Sequence, residues 1–459
     1  MSKPFHLDTP PSGHRRQATP PHRRLPLIAA MLVGLGLGTQ AVAQGTFSDA
    51  IARAKDVNLK EVQAPGLYLK PQLELEIETL RNRRLERDDI RRTDKYKPAA
   101  ILGLRWQGDG RWSLVNETEL RYDTEYETRD GTSNRSRLNI NQLYGEAQLP
   151  EWNSAVRIGR WAIEDEREWL VDTELDGVQY LYQRDDWQAT AFAARENRWN
   201  RDLLHDSRGD NTNFIGLMGA YDLGDKHHLA LKIMAQRNGD DDLRLTHYSF
   251  GSFATPRKGP FQHWAFVSLV DGKDQGRKVR GQALDVGGTW MLSSDGWQPR
   301  VTLGYAWGSG SDGEAGTDKN HRQTGLQGNE GRFGGQASFK IYGDTLDPIL
   351  SNLHILTAGV GMAPGKNSSV DLVYHHYRQD KTGDLLGSNL RPRADLKTGR
   401  QLGNALDVIW GWRMNSRLKL EAAAGMFQPD DRFRSGRGAN AGSASTAYSA
   451  WLEVKYRLQ

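Results

Sequence analysis

Leu67-Tyr68-Leu69-Lys70-Pro71-Gln72-Leu73-Glu74-Leu75-Glu76-Ile77-Glu78 decides the fold. Apolar side chains fall on the odd positions and, from Lys70 onward, polar ones on the even positions. A period of two puts one face of a strand in an apolar medium and the other in water. The same pattern ends the chain, where Tyr448, Ala450, Leu452, Val454, Tyr456 and Leu458 share one parity.

Between these ends the alternation recurs, with no credible run of helices. Leu102, Leu104 and Trp106 oppose Gly103 and Arg105, and Leu114, Leu120 and Tyr122 oppose Glu117, Glu119, Arg121 and Asp123. Val301/Leu303/Tyr305/Trp307, Val370/Leu372/Tyr374 and Leu418/Leu420/Ala422 repeat it. The segments Asn238 to Asp242, Gly308 to Arg332, Gln379 to Gly399 and Gln428 to Ser445 read as outer loops of a barrel. Leu223 to Lys226 and Ser293 to Gly296 read as tight turns on the other side.

The first 43 residues carry Arg15, Arg16, Arg23 and Arg24, an apolar run from Leu25 to Val33, and Ala41-Val42-Ala43 as a small-x-small cleavage site. They are expected to be a signal peptide, with a periplasmic N-terminal segment over 44–66 and the barrel over 67–459. Ser48 as cap and Ile51, Ala54 and Leu59 on one face predict a short helix within Phe47 to Val62. After residue 43 no stretch reaches the roughly 18 consecutive apolar residues that a membrane helix needs. A barrel is still allowed, because half of each strand can be polar. About 416 residues (459 less 43) at roughly 23 per strand, loops included, give 16 to 18 strands. The expected fold is therefore all-β, a transmembrane antiparallel β-barrel of the bacterial outer membrane.

Other composition features narrow the function. There is no cysteine, which excludes a lipidated N-terminal cysteine, disulfides and thiolate metal sites. A net charge of +4 over 459 residues gives no reason to expect nucleic-acid binding. Ten tryptophans, among them Trp106, Trp112, Trp187, Trp264, Trp290, Trp297 and Trp451, cluster near candidate strand ends, where indoles favour the lipid headgroup level. The inward parity then carries Lys70, Glu74, Glu76, Arg105, Arg121, Asp285, Arg300, Asp371, His375, Asp407, Glu453 and Lys455. Such a lumen is wet and suits a hydrated polar solute.

Several motifs then occur in one order. They are Arg157-Ile158-Gly159-Arg160-Trp161, Trp169-Leu170-Val171-Asp172-Thr173, Gly304-Tyr305-Ala306-Trp307-Gly308, Arg322-Gln323-Thr324-Gly325-Leu326, Leu350-Ser351-Asn352-Leu353 and Gly425-Met426-Phe427-Gln428-Pro429. Together they resemble the alginate exporters of bacterial outer membranes. The resemblance implies a monomeric barrel of 18 strands that passes an anionic polysaccharide outward, with outer-membrane lipid and periplasmic polysaccharide-secretion proteins as partners. By position it implies a pathway lined by Lys70, Arg105, Arg160, Asp172 and, more loosely, Asp202; Arg121 joins them on its inward parity. Arg160 shares the parity of Val156 and Ile158, so it reaches the lumen only through a bulge near Gly159.

The departures concern charge. Positions where the family carries basic residues hold Ala162, Glu330, Ser338 and Glu421 here, so a less anionic polymer, or another uronate polymer, also fits. A diffusion porin for small polar solutes is the alternative. An enzyme is not expected, since His227-His228 and His375-His376 lie beside no nucleophile motif. No cofactor is expected either. Asp240-Asp241-Asp242 has the residue types of a calcium loop, with a solvated loop as the simpler reading.

Overall fold

The computed structural model describes residues 66–458 except 88, 109, 210, 256–258, 314–315, 384, 393–398, 431–432 and 436–441. The expected signal segment, the helix within Phe47 to Val62 and the rest of the chain before Gly66 lie outside the described residues.

Eighteen long antiparallel strands follow in chain order. They are β1 Gly66–Arg81, β2 Arg92–Gln107, β3 Trp112–Glu127, β4 Gly131–Leu149, β5 Ser154–Glu164 and β6 Asp172–Arg184. Next come β7 Trp187–Glu196, β8 Asn213–Gly224, β9 His227–Asn238, β10 Leu243–Ala254, β11 Phe261–Asp274 and β12 Arg277–Met291. The last six are β13 Arg300–Gly308, β14 Leu353–Met362, β15 Ser368–Arg378, β16 Gln401–Arg413, β17 Leu418–Pro429 and β18 Ala447–Arg457. Each pairs with its neighbour, and Gln72–Arg81 of β1 pairs with Tyr448–Arg457 of β18, so the sheet closes on itself. Closure leaves no edge, which a strand structure in lipid requires because no water is present to satisfy open backbone groups.

The alternation decides which face meets lipid. Leu67, Trp106, Leu231 and Leu303 are each more than half exposed on the outer face. The connections at one end are short, the longest being residues 292–299, whereas the other end carries 197–212, 309–352, 379–400 and 430–446. Asn238 to Asp242, expected among the long loops, is only a tight turn between β9 and β10. Exposed Trp106, Trp112, Trp152, Trp187, Trp290 and Trp297 all flank the short turns and form an aromatic belt at that end. Trp264 and Trp451 depart from the expected belt, because both point inward. Trp264 stacks on Phe333 with centroids 5.4 Å apart and ring planes 4° apart, and Trp451 donates to Asp344 at 3.0 Å.

Inside, the barrel is largely filled. Residues 326–350 and the β5–β6 connection, 165–171, fold into the interior and build two apolar clusters against the inner faces of the strands. One joins Trp169, Phe333, Phe339, Tyr342 and Leu350 to Phe266 of β11, Val373 of β15 and Ile409 of β16. The other gathers Trp161, Leu170, Phe192, Met218, Met234 and Leu326. Each fully buried side chain of this size contributes about 1.5–3 kcal/mol. Asp285, Arg300, Asp371, His375 and Asp407, expected on a wet wall, are buried instead.

The wall is irregular between β4 and β5, whose pairing stops at Leu143↔Arg160, while β5 and β6 stay paired up to Glu164↔Asp172. Residues 201–203 of the β7–β8 loop take up the freed edge of β4. The Ile140 N–H donates to Arg201 O at 2.9 Å and the Leu203 N–H to Leu138 O at 2.8 Å.

Candidate functional site

Two consecutive left-handed residues, Arg167 (φ 61°) and Glu168 (φ 49°), turn the β5–β6 connection across the interior. Non-glycine residues hold this conformation only where their surroundings fix it. Here Lys232 of β9 donates to Asp165 at 2.8 Å and also to Glu166, which His228 meets at 3.0 Å. Three strands further round the wall, Asp285 of β12 accepts from Trp264 at 2.7 Å, from the Tyr342 hydroxyl at 3.1 Å and from Arg167 at 3.4 Å. Arg167 also lies 4.0 Å above the Trp264 ring, so it is held by charge and by the ring face.

Residues 309–352 lock onto that crossing. The Asp172 N–H donates to Leu326 O at 2.6 Å and the Asn329 N–H to Glu168 O at 2.9 Å. The Ser338 N–H donates to Glu421 of β17 at 3.0 Å. The two segments together form an internal plug.

A cavity of about 890 Å³ remains between this plug and the wall of β1–β3, β17 and β18. Its lining includes Arg83 and Asn389 near the long-loop end, and Lys226 and Thr255 near the short-turn end. It carries twelve acidic and eight basic side chains. Register arranges part of them in rows. Arg413, Lys419, Lys455 and Glu74 are successive cross-strand neighbours on β16, β17, β18 and β1, and two residues along the same strands lie Gly411, Glu421, Glu453 and Glu76. Lys419 bonds Glu421 at 2.5 Å and Lys455 bonds Glu453 at 2.7 Å, so a basic row neutralises an acidic one.

The plug adds carboxylates to the passage. Burial, and then Asp172, Glu330 and Glu164, push the Glu168 carboxyl up to about 9. Burial also raises Asp344, to about 7, against the lowering effect of its Trp451 bond. Burial works to lower Lys340, but Glu330, bonded at 3.0 Å, and Asp347 raise it overall.

The six residues singled out by sequence are spread over the wall, and none is among those lining this cavity. Lys70 is exposed on the inward parity of β1. Arg105 lies 3.8 Å from Glu146 and 3.2 Å from Gln107, and Arg121 is held by Asp123 at 2.8 Å. No bulge moves Arg160, since Ile158↔Val178, Gly159↔Gly177 and Arg160↔Asp176 run without a register shift. It is buried on the Ile158 parity, doubly bonded to Asp176 at 2.6 and 2.7 Å and donating to Ile140 O and Trp199 O. Asp172 is exposed at the start of β6. Asp202 bridges to Asn139 and is buried, accepting from the N–H groups of Leu138 and Leu204 and meeting His205 at 2.8 Å.

By contrast Glu330, Ser338 and Glu421, three positions noted for their departure in charge, all line the cavity. Sequence reasoning missed Asp165, Glu166, Arg167, Glu168 and Lys340. The dense run Glu164-Asp165-Glu166-Arg167-Glu168, set directly before an apolar motif, was the available signal. In the acidic turn Asp240 meets Asn211, Asp241 meets Asn238 and Asp242 meets Arg244. Among the described residues no group of three or more His, Asp or Glu is placed to hold a metal ion.

A closed barrel of 18 antiparallel strands with a lipid-facing apolar band, an aromatic belt and a polar internal passage defines an outer-membrane channel. Residues 66–446 match the alginate export family, and the chain belongs to it. Solved structures with the same fold include Pseudomonas aeruginosa OccK5 (OpdH), at 10% identity and a TM-score of 0.56, with 85% of this chain and 98% of that one covered. OccK7 (OpdD) of the same organism aligns at 16% identity and 0.55, again over 85% and 98%. OccK2 (OpdF) in complex with glucuronate aligns at 14% and 0.53 over the same shares. No curated protein matches the sequence. Family and fold are those of channels, not of enzymes.

Proposed function

We propose that this protein exports an extracellular polysaccharide passively from the periplasm to the cell exterior. The observation that carries this reading is a polar passage between plug and wall, lined from one end of the barrel to the other, in a chain of the alginate export family. Dense lining charge gives a hydrated chain weak, repeated partners, which conduction needs. Alginate or a related uronate polymer is the cargo suggested by the family. Glu330, Ser338 and Glu421 on the lining favour a polymer of lower negative charge density.

A second reading, selective diffusion of small polar solutes, draws support from fold relatives such as OccK2, whose structure holds glucuronate. Purified protein in planar bilayers separates the two. An exporter's current is interrupted by polysaccharide fragments, whereas a diffusion channel passes monosaccharides in liposome-swelling assays and no fragment blocks it. Free passage of monosaccharides with no interruption by any fragment would overturn the export reading.

A further inference from the structure

We propose that the outer face of β7–β12 binds a phosphorylated glycolipid of the outer leaflet, held by a row of cations above the lipid-facing apolar band. This inference concerns the outside of the barrel and does not depend on the cargo.

Arg195, Asn213, Arg237, Arg244, Lys273 and Lys278 are successive cross-strand neighbours on β7 to β12. Each shares the parity of an exposed apolar residue on its own strand (Trp187, Leu217, Leu231, Phe250, Leu269 and Val286 in turn), so the row points outward. Like charges directly across from one another in a sheet are destabilising. Three such pairs adjoin here: Arg237↔Arg244, Arg244↔Lys273 and Lys273↔Lys278.

Little within the protein offsets them. Arg244 meets Asp242 at 3.3 Å, with both side chains largely exposed. Arg195 is bonded to the neutral Asn211 and Asn213, and Arg237 to the backbone oxygens of Gln236 and Leu245. Among the described residues Lys273 and Lys278 form no ion pair, and Asp271, two residues along β11, is already held by Arg280 at 3.1 Å. The row therefore presents net positive charge to whatever lies beside it.

Its height is that of a headgroup. Arg195 stands eight residues along β7 from Trp187 of the aromatic belt, and Lys278 twelve residues along β12 from Trp290. At about 3.3 Å per residue and a tilt of about 35–45°, these separations rise about 20–30 Å, which matches the apolar band of such barrels. The long loops of these barrels face the exterior, so the row meets the outer leaflet. The charge is also local. At corresponding heights on β13, β14, β16 and β17 the outward residues are Trp307, His354, Asn404 and Gln428, with Arg378 of β15 as the one fixed cation among these five strands.

Arginine pairs with phosphate through two parallel bonds, and lysine meets it as a point charge. Five strand spacings of about 4.8 Å make the row about 24 Å long, which suits a headgroup with more than one phosphate. Acyl chains of the same molecule find Leu217, Leu231, Phe250 and Leu269 beneath it. That apolar footing favours a lipid over free phosphate.

The test is binding of bisphosphorylated lipid A to the intact protein in detergent, followed by native mass spectrometry beside the same lipid stripped of its phosphates. The phosphorylated form should bind about tenfold more tightly or better; equal binding of the two overturns the proposal without recourse to any variant. Arg237→Gln, Arg244→Gln, Lys273→Gln and Lys278→Gln combined should abolish the preference, whereas Arg378→Gln on the neighbouring arc should keep it. A preference that persists in the folded quadruple variant, or that the Arg378 control loses equally, overturns the assignment to β7–β12. Inorganic phosphate in about hundredfold excess should leave the lipid bound. Displacement by it would mean that the row takes any anion and is no lipid site.

Discussion

Glu168 holds a proton at neutral pH because it is half-buried in the plug and surrounded by Asp172, Glu330 and Glu164. Its carboxyl titrates near 9 in the folded protein and near 4.5 when unfolded. Between those values the folded state binds a proton that the unfolded state has released. The stabilisation is therefore complete below pH about 4.5 and is lost as pH rises through about 9. At the same step the passage gains a negative charge. The K⁺/Cl⁻ permeability ratio of the wild type should rise between pH 7 and 10, and Glu168→Gln should flatten the part of the rise that this residue supplies. Identical pH profiles for the two proteins would refute it. Lys232 shows the other use of charge in the plug. It is fully buried and spans Asp165 and Glu166, so removing it would leave two carboxylates in the interior without their cation.

The β5–β6 hairpin depends on a close approach between backbones. Gly159 has φ +130°, and a Cβ there would lie 2.2 Å from Leu143 O; Gly177, directly opposite, would bring one within 2.2 Å of Ala193 O. No side chain fits in either gap, and the conformation at Gly159 is strained for any L-residue. Gly159→Ala should cost at least about 1–3 kcal/mol in urea unfolding from detergent micelles. Gly145→Ala, where nothing lies within 4 Å, serves as the neutral control. Equal stability of the two variants would mean that the wall tolerates the fork where β4 parts from β5 without the glycine. The fork also explains the misplacement of Arg160. A bulge was the simplest way to turn a charged residue off an apolar parity, but the chain keeps its register and encloses Arg160 with a loop distant in sequence.

The barrel itself was legible because lipid imposes a period of two on every strand, and the turn and loop ends separated by length. The filled interior was not legible. Parity tells which face is inward but not what stands against it, so Phe266, Val373 and Ile409, all apolar on the inner face, had no visible reason. A clue lay in the loop: Phe333, Phe339, Ile341, Tyr342, Leu346 and Leu350 are too apolar for a solvated connection. The passage residues followed the same division. Glu330, Ser338 and Glu421 came from motif position, while Arg167 and Glu168 needed the path of the plug. The plug can be removed, since the Asn352 N–H donates to Ser309 O at 3.1 Å and the loop ends therefore already touch. Replacing residues 312–349 with a short Gly/Ser linker should raise single-channel conductance severalfold. Unchanged conductance would show that this loop does not obstruct the pore.

The seam between β1 and β18 also sets a time order. Gln72 finds its partner Arg457 only after nearly the whole chain has been made, so closure has the longest sequence separation of any pairing in the sheet. Contacts of such high order are slow to form. Until they do, β1 and β18 are both open edges, each a template for another chain. The seam that excludes lipid from the finished backbone thus makes the unfinished one an aggregation hazard during its crossing of the periplasm.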